Sequence, residues 1–577
     1  MRPTLYGTRH AISAGHYLAT AAGFSILEAG GNAIDAGCAA GIALSVLNPH
    51  DVKFAGVAPI MIRTHEGKLV TIAGLGHWPH KFPADLFMRE HEGKMPLGIL
   101  RTVVPAAPDA WITALRDFGT MSFGDVAAAA IRIAKEGFGV WEHMLSFIVA
   151  EEQDLRKLPA NAAIFLPEGK VPKLDDRFVQ ADLAATIQYM VDEETAAKGG
   201  GRNAGLQAAH DAFYRGDIAQ RIVKYHRENG GYLDYEDMAT YRSKYEPAVS
   251  IRWRDTQVFT CGPWCQGPVV AHALRMLERA GLDGLQHNSP AYIHLVVEVL
   301  KAAFADREYR YGDPDFVDVG MEQLLSNERV AARVSAISRE RAMPDMPPPL
   351  GDEPHRLDWL EDYLKTVPRA TETVAATSQA HRGGDTTYLC AIDRWGNAIS
   401  ATPSDGNWAC PIVPGTGLMI STRGVQSRPD PRHPSGVAPG KRPRLTPNPA
   451  MALKDDGSVF VFGTPEGDMQ TQAMLQVFLN VFHFGMDIQP AVEAPRFATF
   501  SFPNSFQPPE HLPGQVNAED RIPESTLAEL AKLGHKVVRW PAYTRKASAV
   551  EAILLDRQSG FLRAGADPRQ PAYAIVA

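Results

Sequence analysis

A pair of threonines at the end of a polar segment is the strongest chemical feature of the sequence. Residues 371–384 are polar and show no periodicity, and Asp385, Thr386 and Thr387 then lead into the apolar run that ends at Ile392. A threonine hydroxyl is a weak nucleophile near neutral pH unless a base takes its proton. Taken alone, Thr386 is therefore interpreted as an ordinary threonine at the edge of a strand.

The cysteines and histidines give weaker evidence of a chemical site. Cys261 and Cys265 are three residues apart, and no second Cys or His pair follows at zinc spacing, so we expect a turn there. The 19 histidines include no His-Glu-x-x-His pair, and we expect His50, His77 and His287 to pack, cap or form hydrogen bonds. The sequence therefore predicts no metal and no organic cofactor.

Helical patterns fill much of the first 310 residues. Asn32 is a good N-cap, Asp35 follows three residues later as in a capping box, and Pro49 ends the run, which predicts a buried helix over 33–47. The glycines before Asn32 lack the spacing of a nucleotide-binding loop, so they predict a tight turn. Further helices are predicted over 125–134, 218–228, 290–306 and 469–484.

Strand signals dominate after residue 386. Residues 387–392 and 398–401 flank the turn 393–397, and 450–453 and 459–462 flank the turn 454–457. Before them, 340–384 is predicted to be a loop-rich connector exposed to solvent. Strands followed by helices indicate an α+β layered fold.

Composition excludes several classes of protein. The chain has 577 residues, 45% hydrophobic and 21% charged, which suits a globular enzyme of two to four domains or one large unit and excludes a disordered chain. The net charge of -8 argues against nucleic-acid binding. Five cysteines form no secreted disulfide framework, and neither a signal peptide nor a membrane span is visible, so we expect a cytoplasmic, reduced protein.

Six segments, in this order and spacing, resemble the gamma-glutamyltranspeptidase family of N-terminal nucleophile hydrolases, from about residue 8 to 570. They read GGNAIDA (30–36), FADREYRYGDPDF (304–316), DTTYL with DRWGNAIS (385–400), PGKRP (439–443), GTPEGDMQ (463–470) and GADPR (565–569). The resemblance implies a four-layer αββα sandwich.

The resemblance also implies that the chain cuts itself between Asp385 and Thr386. This would leave a large fragment, 1–385, and a small one, 386–577, held together as a heterodimer. Thr386 would then carry both its hydroxyl and a free α-amine, whose reference pKa of about 7.7–8.0 lets it act as the base. An acyl–Thr386 ester would form and be released to water or an amine. Thr387 is the alternative register.

The family's supporting groups map onto four residues. Thr402 and Ser404 stand where the family has hydroxyl residues, one of which commonly supports the amine and hydroxyl. Both are equally compatible with solvated turn positions. The oxyanion-binding Gly-Gly pair aligns with Glu466 and Gly467. Glu466 is a departure, because its carboxylate would oppose a developing oxyanion unless it points away or engages a cationic group of the substrate.

The glutamate-binding pocket of transpeptidases is not reproduced. The segment that should hold a carboxylate-binding arginine reads LGHWP at 75–79, and the family's serine pair aligns with Leu445 and Thr446. The acidic positions that bind the amine align near Arg423 and Gln426. A cationic amine would be repelled by Arg423, so an unmodified γ-glutamyl group is not the expected substrate.

We hypothesise instead that Arg423, together with Arg444, binds the carboxylate of a small amide substrate, with Gln426 and Thr446 beside it. The alternative is a surface arginine in a salt bridge. Other stretches resemble a divergent branch that includes acylase-like enzymes and an oxamate amidohydrolase. The expected function is a self-processing threonine amidohydrolase. A γ-glutamyltransferase or glutathione hydrolase with a rebuilt pocket, and a catalytically silent relative, are the alternatives.

Self-cleavage is directly testable. Denaturing electrophoresis of the purified protein should show fragments of 385 and 192 residues, because the cut precedes Thr386. Thr386→Ala removes the attacking hydroxyl and should leave one band of 577 residues. N-terminal sequencing of the small fragment should begin at Thr386, and any other start would contradict the scheme.

Overall fold

Two seven-stranded antiparallel sheets form the centre of the protein. The computed structural model describes residues 2–354, 357–367, 385–406 and 410–577. The predicted polar segment 371–384 lies outside the described residues. All five cysteines are free and buried. Among the described helices, none has both the length and the apolar character needed to cross a bilayer.

The strands of each sheet come from distant parts of the chain. The first sheet has the spatial order Leu5–Gly7, Leu562–Ala566, Glu551–Leu555, Val459–Gly463, Ala450–Lys454, Thr256–Thr260 and Val249–Trp253. The second sheet has the order Tyr573–Val576, Ala11–Ala14, Leu389–Ile392, Ala398–Ala401, Ile60–Arg63, Leu69–Ile72 and Tyr245–Glu246. Both sheets therefore combine strands from before and after the predicted cut.

The two sheets pack face to face through an apolar layer. Cys390 and Ile392 of the second sheet share a buried cluster with Met451 and Val461 of the first sheet. Successive strand residues point to opposite faces, so Leu389 and its alternate neighbours pack outward against helices instead. This alternation gives each sheet two buried faces.

Helices cover both outer faces. Residues of Tyr17–Glu28, Ala33–Leu47, Ala107–Phe118 and Phe123–Glu136 share the core of the second sheet's outer face. Residues of Pro268–Ala280, Pro290–Arg310 and Met469–Phe482 share the core of the first sheet's outer face. The four layers confirm the predicted α+β class and the αββα order.

Smaller elements complete the chain. The other helices are Leu86–Glu90, Glu142–Ala150, Glu152–Arg156, Pro159–Phe165, Ala181–Ala196, Arg202–Tyr214, Asp217–Glu228, Tyr235–Thr240, Met321–Leu324, Asn327–Ser335, Leu360–Thr366, Ile488–Glu493 and Glu524–Lys532. The other strands pair as Val52–Val57 with Ser404–Asp405, Ile412–Val413 with Leu418–Met419, Phe138–Gly139 with Arg177–Phe178, and Phe497–Thr499 with Gln515–Glu519 and Lys536–Trp540.

Most predicted elements agree with the structure. The Asn32 side chain caps helix Ala33–Leu47, and Asp35 completes the capping box. The helix predicted over 290–306 continues to Arg310, because its last turn is buried and held by ion pairs. The predicted loop-rich connector contains the short helix Leu360–Thr366, whose apolar residues pack among themselves.

The glycines of helix Ala33–Leu47 permit close packing. A Cβ added at Gly41 would lie 2.5 Å from the Trp111 ring, so Gly41→Ala should lower the free energy of unfolding by about 1–3 kcal/mol. Gly199→Ala is the control, because nothing lies within 4 Å of a Cβ there. Chemical denaturation measures both. Equal stability of the two variants would contradict this packing.

Candidate active site

Thr386 lies at the end of a central strand, where several chain segments converge. It precedes strand Leu389–Ile392, and its N–H donates to the Asp51 carbonyl at 3.0 Å. Ser404 opens the two-residue strand Ser404–Asp405, which pairs with Val52–Val57 across a bulge. These pairings bring Thr386 and Ser404 together although they are 18 residues apart.

The backbone is strained at three positions of this site. Thr386 has φ of 90°, Asp405 of 116° and Glu466 of 79°. Positive φ is a genuine outlier for a β-branched residue, and such strain costs on the order of 1–3 kcal/mol for each residue. The strained residue Thr386 directly follows the Asp385–Thr386 peptide bond, which the sequence predicts to be cut.

The Thr386 hydroxyl contacts one of its two predicted neighbours. Its Oγ1 lies 2.6 Å from Ser404 Oγ and donates to Asp385 Oδ1 at 2.9 Å. Thr402 is buried, but its Oγ1 has no hydrogen-bond partner among the described residues. Thr387 Oγ1 has none either within the described chain. The geometry thus favours Ser404 over Thr402 as the supporting hydroxyl.

A buried guanidinium group adjoins this hydroxyl pair. Arg423 is 1% exposed, and its Nη2 donates to Asp385 Oδ2 and to Ser404 Oγ, each at 2.6 Å. Its Nε and Nη1 have no hydrogen-bond partner among the described residues. A buried cation with free N–H groups is well suited to bind an anion.

One residue of the predicted oxyanion-binding pair contacts the Asp385 carbonyl, which belongs to the bond predicted to be cut. The Glu466 N–H donates to the Asp385 carbonyl oxygen at 3.2 Å. Gln266 holds the neighbouring Gly467 carbonyl at 2.8 Å. Helix Met469–Phe482 begins two residues later, and the positive end of its dipole favours negative charge at this position.

The Glu466 side chain is turned to a cation of the chain itself. Its Oε1 lies 2.7 Å from Arg545 Nη1, without hydrogen-bond geometry, and Arg545 Nη2 donates to Asp51 Oδ2 at 2.7 Å. Burial, opposed by Arg545 and reinforced by Asp51 and Asp385, raises the pKa of Glu466 to about 7. Arg545 thus partly neutralises the Glu466 carboxylate, whose negative charge would oppose a developing oxyanion.

A second ion pair holds the strand that carries Ser404. Lys53 Nζ lies 3.2 Å from Asp405 Oδ1 and donates to Thr422 Oγ1 at 3.0 Å, and the Ser421 hydroxyl also donates to Asp405. Burial raises the pKa of Asp405, but Lys53, Arg423 and the Ser421 hydrogen bond outweigh it and lower this pKa. The ionised carboxylate fixes the backbone beside Ser404.

The remaining predicted substrate residues are already engaged. Gln426 Nε2 donates to Thr446 Oγ1 at 2.8 Å, and the Thr446 N–H donates back to Gln426 Oε1 at 3.1 Å. Arg444 is fully buried and donates to Glu308 at 2.9 Å, where Arg428 also binds. The Arg444 charge is therefore neutralised inside the protein, which leaves Arg423 as the candidate anion-binding group.

Within the described part of the chain, three groups bring ligand-type atoms within 4.8 Å of one another. They are His50, Asp51 and His143; His77, His80 and Asp237; and His294, Glu298 and His535. Arg545 already binds Asp51 in the first group. Lys301 binds Glu298 at 2.7 Å in the third group. In both groups a cation of the chain therefore already pairs with the carboxylate.

Sequence reasoning missed Lys53, Asp51 and Arg545. Each lies far from Thr386 in sequence and carries no motif of its own. The one signal available was Lys53 inside the apolar run 52–57, since lysine is almost never buried without a partner.

The two facing sheets, the outer helices and the buried hydroxyl pair at the start of a central strand define the N-terminal nucleophile class of hydrolases and acyltransferases. The sequence profile described as Gamma-glutamyltranspeptidase matches residues 19–577. The chain belongs to the gamma-glutamyltranspeptidase family, as the sequence segments indicated.

Its relatives are hydrolases made as precursors. The chain is 31% identical to the Acylase ACY 1 proenzyme of Pseudomonas sp. (strain SE83), covering 95% of this chain and 90% of that protein. It is 29% identical to the Glutathione hydrolase-like YwrD proenzyme of Bacillus subtilis (strain 168), over 100% of both. The structure of cephalosporin acylase from Bacillus halodurans has a TM-score of 0.83 at 26% identity, covering 100% of this chain and 97% of that one.

Glu466 should give the rate a distinctive pH dependence. As pH rises through about 7, Glu466 ionises and places negative charge beside the oxyanion site, so acylation should slow. At lower pH, protonation of the α-amine that the predicted cut would free at Thr386 should also slow the reaction, so the wild-type profile of kcat/KM should be bell-shaped. In Glu466→Gln the decline at high pH should disappear.

Glu529→Gln, in helix Glu524–Lys532 and half exposed, is the matched control and should keep the wild-type profile. A Glu466→Gln profile that still declines above pH 7 would show that Glu466 is not the group responsible.

Proposed function

We propose that this protein is a self-processing threonine amidohydrolase that cleaves the amide bond of a small substrate bearing a carboxylate. The single observation that carries the proposal is the contact between Thr386 Oγ1 and Ser404 Oγ, with the Arg423 guanidinium bound to the same serine. The proposed nucleophile, Thr386, and the proposed anion-binding group, Arg423, therefore both contact the Ser404 hydroxyl.

Self-cleavage is the first step. Thr386 Oγ attacks the Asp385 carbonyl carbon through a five-membered ring, while the Glu466 N–H holds the carbonyl oxygen. The C–N bond breaks, the hydroxyl proton passes to the nitrogen, which becomes the free Thr386 α-amine, and an Asp385–Thr386 ester results. Water hydrolyses this ester, which frees the Thr386 hydroxyl and leaves Asp385 with a C-terminal carboxylate. Release of backbone strain at Thr386 favours the step.

Substrate hydrolysis repeats the same chemistry between two molecules. The Thr386 α-amine takes the hydroxyl proton, Oγ attacks the substrate carbonyl carbon, and the proton then moves to the leaving amine. Asp51 supports this role, because its carbonyl accepts the Thr386 N–H at 3.0 Å and would hold the free amine in the same direction. Water, or a second amine, resolves the acyl–Thr386 ester.

The Arg423 charge supports a carboxylate substrate. It is buried and its Nη2 pairs with Asp385 in the uncut chain, while its Nε and Nη1 have no partner in the described residues. Loss of Asp385 after the cut would leave this buried charge without a partner, which is costly. A carboxylate anion binds such a group, whereas the cationic α-amine of a γ-glutamyl donor is repelled. The proposed enzyme consists of its two fragments held together as a heterodimer.

A γ-glutamyltransferase is the second candidate, because relatives named glutathione hydrolase cover the chain at 26–29% identity. Glu466 is the residue that would favour it, since a carboxylate could meet a substrate amine. Arg545 already occupies that carboxylate at 2.7 Å, which favours the amidohydrolase.

Two 4-nitroanilides that differ by one amine separate these candidates. The glutaryl compound should be hydrolysed with kcat/KM at least about tenfold above that of the γ-glutamyl compound, since only the latter brings an ammonium group towards Arg423. Oxamate and neutral acyl amides complete the panel, and mass spectrometry detects an acyl adduct on the small fragment. Efficient transfer from the γ-glutamyl donor would refute the substrate argument. A protein that is cut but forms no acyl adduct would be a catalytically silent member of the family.

A further inference from the structure

Asp385 is bound in the site in the way that a substrate would be bound. Its carbonyl oxygen accepts the Glu466 N–H at 3.2 Å, and its carboxylate binds Arg423 at 2.6 Å and the Thr386 hydroxyl at 2.9 Å. The side chain is 7% exposed. The Gly406 N–H, at 3.2 Å, also donates to the carboxylate. Both ends of the Asp385 acyl unit are thus held.

We infer that Asp385 is a built-in template of the substrate, and that the processed site prefers four-carbon acyl groups whose carboxylate lies two carbons from the amide carbonyl. This rests on the proposed function. In the uncut chain Asp385 fills the carboxylate site, and cleavage vacates it.

The chemistry supports the template. The ester formed during self-cleavage joins the Asp385 carbonyl carbon to Thr386 Oγ, and the ester formed during catalysis joins the substrate carbonyl carbon to the same oxygen. The leaving group is an amine in both cases. One nucleophile, one carbonyl-binding N–H and one arginine therefore act on both acyl groups, and their spacing selects the same acyl length.

The spacing is set by rigid parts of the fold. Arg423 is fixed by Ser404, whose strand is held by the Lys53–Asp405 ion pair, and Glu466 lies three residues before the start of helix Met469–Phe482. Arg423, Ser404 and the ion pair are buried, so they have little freedom to move towards a shorter or longer acyl chain. The charge of a two-carbon or five-carbon acid would then fall away from the Arg423 guanidinium.

A series of 4-nitroanilides tests the inference on the processed protein. Oxalyl, malonyl, succinyl and glutaryl compounds vary the length, and the butyryl compound keeps four carbons without charge. The kcat/KM for the succinyl compound should exceed those for malonyl and glutaryl by about tenfold, and that for butyryl by about 100-fold. A maximum at any other length, or no dependence on length, would overturn the template.

Arg423→Gln should reduce the preference for succinyl over butyryl by at least about tenfold. Arg539→Gln, which removes an exposed arginine charge, should retain it. If Arg423→Gln remains uncut or unfolded, the length series on the wild-type protein decides alone. A preference that survives in a folded, cut Arg423→Gln protein would also overturn the template.

The rate of self-cleavage independently tests the same preference for acyl length and charge. Asp385→Asn removes the charge and Asp385→Glu adds one methylene, so both should slow the appearance of the small fragment by about tenfold. Asp455→Asn, at an exposed position, should cleave at the wild-type rate. Wild-type rates in both Asp385 variants would contradict the template. A protein fully cut before Thr386 that hydrolyses no member of the series would instead refute the proposed function.

Discussion

One buried positive charge organises the centre of this protein. The Arg423 guanidinium joins Asp385, on the large-fragment side of the predicted cut, to Ser404, on the small-fragment side. Ser404 in turn positions the Thr386 hydroxyl. A buried charge without a partner costs several kcal/mol, and in the uncut chain the Asp385 carboxylate is that partner. In the proposed processed enzyme, departure of Asp385 would leave this charge to bind an anion.

The charges around this arginine alternate. Lys53 pairs with Asp405 on one side, and Arg545 lies between Asp51 and Glu466 on the other. Each of these cations therefore has a carboxylate partner. This arrangement explains how Glu466 is tolerated where the resemblance implied a glycine. Its charge is directed to Arg545, while its backbone N–H remains available to the carbonyl.

The layered fold was largely predictable because its signals are local. The capping box at Asn32 and the strand–turn–strand signal over 387–401 each depend on residues that are close together in the sequence. The site was less predictable, since its charges come from residues hundreds of positions apart, as with Asp51 and Arg545. A resemblance supplied Thr386 and Ser404, but no sequence pattern could show that Arg444 is neutralised by Glu308. Pairing between distant residues is a property of the folded chain alone.

The interleaving of the two sheets has a consequence for synthesis on the ribosome. Strand Ala11–Ala14 lies between Leu389–Ile392 and Tyr573–Val576, so it receives its partners only when the distal part of the chain has emerged from the exit tunnel. Until then its backbone is an unpaired strand edge, the kind of edge that is prone to pair with other chains. The second sheet can therefore be completed only after strand Tyr573–Val576 has been synthesised.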